Sequence, residues 1–173
     1  MGTVHGARGF EAPPPGNTNL VEIERKFLVT GNPEAEPVET WHIEQGYLAL
    51  ADDGGAEVRL RRADDDLFLT VKGGAGRSRV EEEIDIDDEV LESLWPLTEG
   101  RRITKTRHRI PHGELTIDLD VFEGPLEGLR MAEVEFPDDQ AADAFEPPEW
   151  FGQEVTGDRR YLNETLATEG APE

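Results

Sequence analysis

Charged and apolar residues alternate in segment after segment of this chain, and few architectures can satisfy that pattern. In Val21-Glu22-Ile23-Glu24-Arg25-Lys26-Phe27, residues Glu22, Glu24 and Lys26 fall on one face of a strand and Val21, Ile23 and Phe27 on the other, because strand side chains repeat every two residues. The same rhythm sets Glu57, Arg59 and Arg61 against Val58 and Leu60, and Thr70 and Lys72 against Leu67, Leu69 and Val71. It sets Arg79, Glu81, Glu83 and Asp85 against Val80, Ile84 and Ile86, where Glu82 interrupts the apolar face and marks a strand near an edge. Further on, Lys105, Arg107 and Arg109 lie opposite Thr104, Thr106 and His108. Asp118 and Asp120 lie opposite Ile117, Leu119 and Val121, and Glu133 and Glu135 opposite Ala132, Val134 and Phe136. With a further strand from about His42 to Leu50, the pattern predicts about eight antiparallel strands. Helices are few: one starting at Asp87-Asp88-Glu89 and ended by Pro96, one from Pro137-Asp138-Asp139 through Phe145, and a short one from Asn163 to Ala167. Trp150 and Phe151 are expected to anchor a loop on the core.

Two arrangements fit a sheet with one charged face. It packs its apolar face on helices and leaves the charged face to water, or it closes with the charged face inward as a tunnel. The distribution of cations favours the tunnel. The formal net charge is −22 and charged residues make up 32%, so a solvated face of this chain should be almost wholly acidic. Instead the only lysines are Lys26, Lys72 and Lys105, all in strands, and Arg59, Arg61, Arg79, Arg107 and Arg109 share their face. Confined charges of both signs must pair or bind ions. Carboxylates hold Mg²⁺ or Mn²⁺ through oxygen, and arginines grip phosphate oxygens bidentately. An anion chelated to a metal suits such a lining. The acidic remainder is read as an adaptation to high salt.

The same charge excludes a nucleic-acid backbone as partner. The 173 residues suggest one domain. There is no cysteine, no apolar run long enough for a bilayer and no signal-peptide pattern, so no membrane partner and a cytoplasmic location are expected. Residues 1–19, rich in Gly and Pro, read as a flexible leader, residues 20–168 as the folded domain and 169–173 as a frayed tail.

Val21-Glu22-Ile23-Glu24-Arg25-Lys26 resembles the ExExK signature of the CYTH superfamily, the triphosphate tunnel metalloenzymes. Glu57-Val58-Arg59-Leu60-Arg61, Thr70-Val71-Lys72, the Trp95 to Arg107 stretch, Leu119-Asp120-Val121-Phe122, Glu133-Val134-Glu135-Phe136 and Thr156-Gly157-Asp158-Arg159-Arg160-Tyr161 follow in that family's order. The similarity is strongest to small bacterial members, several of them inorganic triphosphatases. The resemblance implies a mainly β (α+β) fold, an eight-stranded antiparallel tunnel with a charged interior and a few flanking helices. It implies Mg²⁺ or Mn²⁺ on Glu22, Glu24, Glu133, Glu135 and Asp120. Triphosphate would be held by Lys26, Arg59, Arg61, Lys72, Lys105 and Arg107, with Arg160 a weaker member, and Lys26 or Lys105 would orient the attacking water. Hydrolysis of inorganic triphosphate is the expected activity. The alternatives are a class IV-type adenylate cyclase, a thiamine or nucleoside triphosphatase, and a polyphosphate-binding module without catalysis. A homodimer is expected from the family and from the apolar outer strand faces.

Overall fold

The computed structural model describes residues 23–50, 56–73 and 80–173. The signature residue Glu22, Arg79, the leader and the two glycine-rich connections at 51–55 and 74–79 lie outside the described residues. The strands are β1 (Ile23–Val29), β2 (Glu39–Ala49), β3 (Ala56–Ala63), β4 (Asp66–Gly73), β5 (Val80–Asp85), β6 (Arg102–His112), β7 (Leu115–Phe122), β8 (Arg130–Phe136) and β9 (Phe151–Glu154). They form one sheet in the order β5-β4-β3-β2-β6-β7-β8-β1-β9, antiparallel at each step. Three short helices flank it: α1 (Asp88–Leu94), α2 (Asp139–Ala144) and α3 (Asn163–Glu169).

The architecture is the β-tunnel that the distribution of cations favoured and the resemblance implied, with two corrections. Among the described residues the sheet has nine strands rather than about eight, because Phe151–Glu154 extends along β1 as an edge strand. Its ladder is also not closed, since β5 and β9 are the two ends of the order and do not pair among the described residues. Both ends are poor templates. β9 has four residues, and β5 carries Glu81, Glu82, Glu83 and Asp85 in a run of six, a row of charge that opposes edge pairing. Curvature does what closure would have done. Gln45 and Asp120 (both 0% exposed), Thr70 (1%) and Lys105 (2%) lie on the polar face, although no second sheet covers it.

Apolar clusters on the outer face hold this shape. Phe27, Leu119, Ala132 and Val134 pack with Ala142 of α2 and with Phe145 and Phe151. Leu91 of α1 packs on Leu60 and Leu67. Arg25 points to this outer side, where its guanidinium donates to the carbonyls of Ala142 (2.9 Å) and Phe145 (3.1 Å) and pairs with Glu154 at 2.7 Å. It thereby adds a cationic donor at the carbonyl end of α2 and ties β9 to β1. A third cluster lies on the inner face. Ile103, Phe122 and Met131 are the polar-face positions nearest one end of β6, β7 and β8, and Leu166 of α3 packs onto them with Leu126, so α3 lies across that end of the tunnel. Among the described residues, no helix is long and apolar enough to cross a membrane.

Gly46 on β2 is fixed by close approach. A Cβ there would sit 2.6 Å from Thr98 Oγ1 and 2.7 Å from Thr98 Cβ. Thr98 cannot retreat, because its buried hydroxyl donates to the Trp95 carbonyl (2.7 Å) and accepts from Arg102 Nε (2.8 Å). Gly46→Ala is expected to cost about 1–3 kcal/mol, the usual penalty of overpacking. That loss is measured as a lower urea midpoint at unchanged m; an unchanged midpoint would show that the turn can move away.

Candidate active site

Two walls of different character face each other across the concave side. The first is built by β6, β7, β8 and β1, whose register places Arg107 beside Asp120, Asp118 beside Glu133 and Glu133 beside Lys26. Its charges are bonded throughout. Arg107 grips Asp120 bidentately, Nε to Oδ1 and Nη2 to Oδ2, both at 2.7 Å, and Nη2 also reaches Glu133 Oε2 at 3.0 Å. Lys105 Nζ donates to Asp120 Oδ2 at 2.6 Å. Lys26 Nζ pairs with Glu133 Oε1 at 3.1 Å. Farther along, Arg109 pairs with Asp118 (3.1 Å) and Glu39 (3.3 Å) and stacks on Trp41, 4.8 Å from the ring centroid.

The electrostatics follow from this crowding. Burial opposes ionisation of Asp120 and Glu133, but Arg107 overcomes it in both, helped by Lys105 at Asp120 and Lys26 at Glu133, and holds each carboxyl below its usual range. Burial also opposes the charge on Lys26, yet Glu133 and Glu24 outweigh it and raise its pKa. Lys105 goes the other way. Burial is the largest influence, Arg107 repels it, and Asp120 only partly compensates, so its pKa falls to about 8. The asymmetry between Lys105 and its partner arises because Asp120 is shared with a guanidinium that cannot lose its proton.

The second wall, β2 to β5, is looser. Arg59 (7% exposed) has its carboxylate neighbours Glu57 and Glu81 both at 3.7 Å, beyond hydrogen-bond range, and its buried Nε has no hydrogen-bond partner among the described residues. Arg61 stands 4.0 Å from Glu83. Its Nε donates to Gln45 Oε1 (3.2 Å), and Gln45 Nε2 donates to the Tyr47 hydroxyl (2.6 Å). Burial, then repulsion from Arg59 and Arg107, pushes the Arg61 pKa down to about 10. Lys72 is 3.1 Å from Glu81. An unsatisfied buried guanidinium nitrogen is costly, and a polyanionic ligand would satisfy it.

Toward the end of the tunnel away from α3, Glu24 and Glu135 are register partners on β1 and β8, both exposed and both on the polar face. Among the described residues, no three or more His, Asp or Glu side chains are gathered tightly enough to hold a metal by themselves. Carboxylates at an open mouth nevertheless suit Mg²⁺, which is commonly bound through one or two of them plus substrate phosphates rather than in an all-protein cage.

A family model described as the CYTH domain matches residues 20–166. The chain belongs to the CYTH family. It is 49% identical over 150 residues to an inorganic triphosphatase of Nitrosomonas europaea, an alignment covering 86% of this chain and 97% of the relative. It is 42% identical over 147 residues to an inorganic triphosphatase of Acetivibrio thermocellus, covering 84% and 92%. A crystal structure of an inorganic triphosphatase superposes with a TM-score of 0.72 at 44% identity, covering 88% of this chain and 98% of that one.

Within this CYTH domain the residues singled out from the sequence fall into three groups. Lys26, Lys105, Arg107, Asp120 and Glu133 meet in one bonded cluster. Arg59, Arg61 and Lys72 line the opposite wall, and Glu24 and Glu135 stand together as cross-strand partners. Arg160 stands apart from all three. It is exposed (62% for the side chain) and closed on Asp158 at 2.7 Å. Sequence reasoning passed over Gln45 and Tyr47, both fully buried on the polar face. The signal was available in their spacing, which gives them the same parity on β2 and sets them beside Arg61 and Arg59.

Proposed function

We propose that this CYTH domain hydrolyses inorganic triphosphate, releasing orthophosphate, with Mg²⁺ or Mn²⁺ as cofactor. The relatives named inorganic triphosphatase support the substrate. The observation that carries the reading is the contrast between the walls: one set of cations fully bonded, the other with a buried guanidinium nitrogen that has no hydrogen-bond partner among the described residues. Arg59, Arg61 and Lys72 receive the phosphate chain, with Lys26 reaching it from the opposite wall. Lys105 and Arg107 keep that side positive through their bonds to Asp120.

Glu24 and Glu135, with Glu22, would hold the metal, while Glu133 and Asp120 anchor the cations. An ion held there would supply charge neutralisation and lower the pKa of a water. The chain's own groups do the rest. Lys26, kept an ammonium by Glu133 and Glu24, serves as a fixed charge beside the transferred phosphoryl group, where electrostatic stabilisation dominates. Lys105, bonded to Asp120 Oδ2 at 2.6 Å, is suited to orienting the attacking water from the same wall.

The test is phosphate release from tripolyphosphate, ATP and thiamine triphosphate with Mg²⁺ or Mn²⁺, alongside an assay for cyclic AMP. Tripolyphosphate is expected to be hydrolysed fastest, with no cyclic AMP and no turnover in a chelator. Preferred turnover of ATP, or cyclic AMP formation, would replace the reading. Glu24→Ala is expected to abolish metal-dependent turnover while leaving the unfolding free energy within about 0.5 kcal/mol of wild type, as for other solvent-exposed positions. Retained turnover would remove Glu24 from the metal set.

A further inference from the structure

We infer that α3 closes one end of the tunnel to phosphate, so that a linear phosphate chain enters only through the mouth at Glu24 and Glu135, free end first, and that Leu166 and Glu164 are the residues that keep longer chains from threading through. The inference deepens the triphosphatase reading and rests on it. It starts from the order of side chains along the tunnel. On β1 the polar-face positions run Glu24, Lys26, Leu28, and on the neighbouring β8 they run Glu135, Glu133, Met131. β7 and β6 end the same way, at Phe122 and Ile103 beyond Asp120 and Lys105. Charge thus gives way to hydrocarbon toward the same end of four adjacent strands.

α3 lies on that hydrocarbon and reaches the other wall. Leu166 (2% exposed) packs with Ile103, Phe122, Leu126 and Met131, and Leu28 packs against the same cluster. Glu164, in the first turn of the helix, acts on β3 and β2. After burial, its charge is the strongest influence raising the pKa of Glu57. Behind burial and Glu57, it also helps to raise that of the Tyr47 hydroxyl. A helix packed on β6, β7 and β8 and felt on β2 and β3 spans the opening between the walls.

A phosphate group is refused twice at this floor. The hydrocarbon offers no donor to replace its water, the costly case for a buried charge, and the carboxylates of Glu57 and Glu164 repel it. A chain therefore occupies the cationic stretch from the mouth inward and stops, with any excess length left outside. Hydrolysis adds water across one P–O–P bond at a fixed distance from the free end. It yields one short product and a chain shortened by that length, and the internal bonds of a long chain stay out of reach.

The test uses the full chain with Mg²⁺ or Mn²⁺ on tripolyphosphate and on size-fractionated long-chain polyphosphate, for the wild type, Leu166→Ala and Glu164→Gln. It reads kcat/KM, early product lengths on gels and thermal midpoints. The wild type is expected to cut tripolyphosphate and to release no mid-length fragments from the long chain. Leu166→Ala opens the floor. Mid-length fragments are expected, and the ratio of long-chain to tripolyphosphate kcat/KM should rise about tenfold or more. Glu164→Gln keeps the apolar packing and removes only the repulsion, so that ratio should rise about threefold; this variant decides the matter if Leu166→Ala does not fold. A merely structural helix would lower the midpoint of Leu166→Ala and leave the product pattern and the ratio as in the wild type, and that result would overturn the inference. Mid-length fragments from the wild type would also overturn it and leave the triphosphatase reading standing. A wild type inactive on tripolyphosphate would overturn that reading, and the inference with it.

Discussion

Arg59→Met is expected to lower kcat/KM for tripolyphosphate by about 10²–10³-fold, the range seen when one preorganised electrostatic donor is removed, and to leave folding stability within about 1 kcal/mol of wild type. The two halves of this result belong together. Arg59 contributes little to the unliganded fold, because its carboxylates stand at 3.7 Å and its buried Nε has no partner among the described residues, so part of its interaction energy is offset by an unmet hydrogen bond. Methionine fills similar volume and brings no polar atom. Glu57 loses a cation when Arg59 goes. Burial and Glu164 already raise its pKa, so it can take up a proton rather than remain a buried bare charge. Activity has no such refuge, since the phosphate chain loses a planar two-handed donor that lysine does not reproduce. Paired urea titrations and steady-state kinetics check both halves. A variant that loses more than about 3 kcal/mol with little change in kcat/KM would mark Arg59 as a structural ion-pair member, the outcome typical of breaking a buried pair.

That division between a bonded wall and a waiting wall could not be read from the alternation, although much else could. Period two placed Lys26, Arg59, Lys105, Arg107, Asp120 and Glu133 on the polar face, because parity alone decides which side of a strand a residue occupies. It also kept Arg25 out of the site, and Arg25 does turn outward to α2 and Glu154. The interruption at Glu82 marked β5 as an edge, and β5 is one end of the sheet. Strand count and closure were not legible. β9 is too short to show a period, and whether β5 meets another edge depends on accumulated curvature rather than on any local segment. The apolar seal of Ile103, Phe122, Met131 and Leu166 was equally hidden. Its members are scattered over β6, β7, β8 and α3, and only the register brings them together. Arg160 illustrates the opposite failure: Asp158, two residues away, captures it locally. Partner choice inside the tunnel depends on distances of a few tenths of an ångström, and sequence fixes only the side from which each group arrives.

Asp120→Asn should be the most damaging single change to the fold, costing about 3–5 kcal/mol, the range for leaving a buried charge uncompensated. Asp120 accepts from Lys105 Nζ and from two nitrogens of Arg107 and is 0% exposed. Without its charge, Lys105 keeps only the more distant influence of Glu133, while Arg107 keeps Glu133 at 3.0 Å and Asp118 at 3.3 Å and cannot discharge. Lys105 can, and this gives the loss a pH signature. In the wild type its folded pKa of about 8 lies below the usual lysine value of 10.5. Between those values the unfolded chain binds more protons, and this residue makes stability rise with pH. Removing the Asp120 charge lowers the folded pKa of Lys105 further, so the rise begins at lower pH and the deficit of the variant shrinks from pH 7 to pH 9. Adding Lys105→Met to Asp120→Asn removes the lysine charge altogether. It should recover part of the lost stability, flatten that pH dependence and restore no turnover. Urea midpoints for the wild type, the single variant and the double variant across this range check the prediction. A single variant as stable as the wild type at pH 7 would mean that Glu133 and Asp118 suffice to hold both cations.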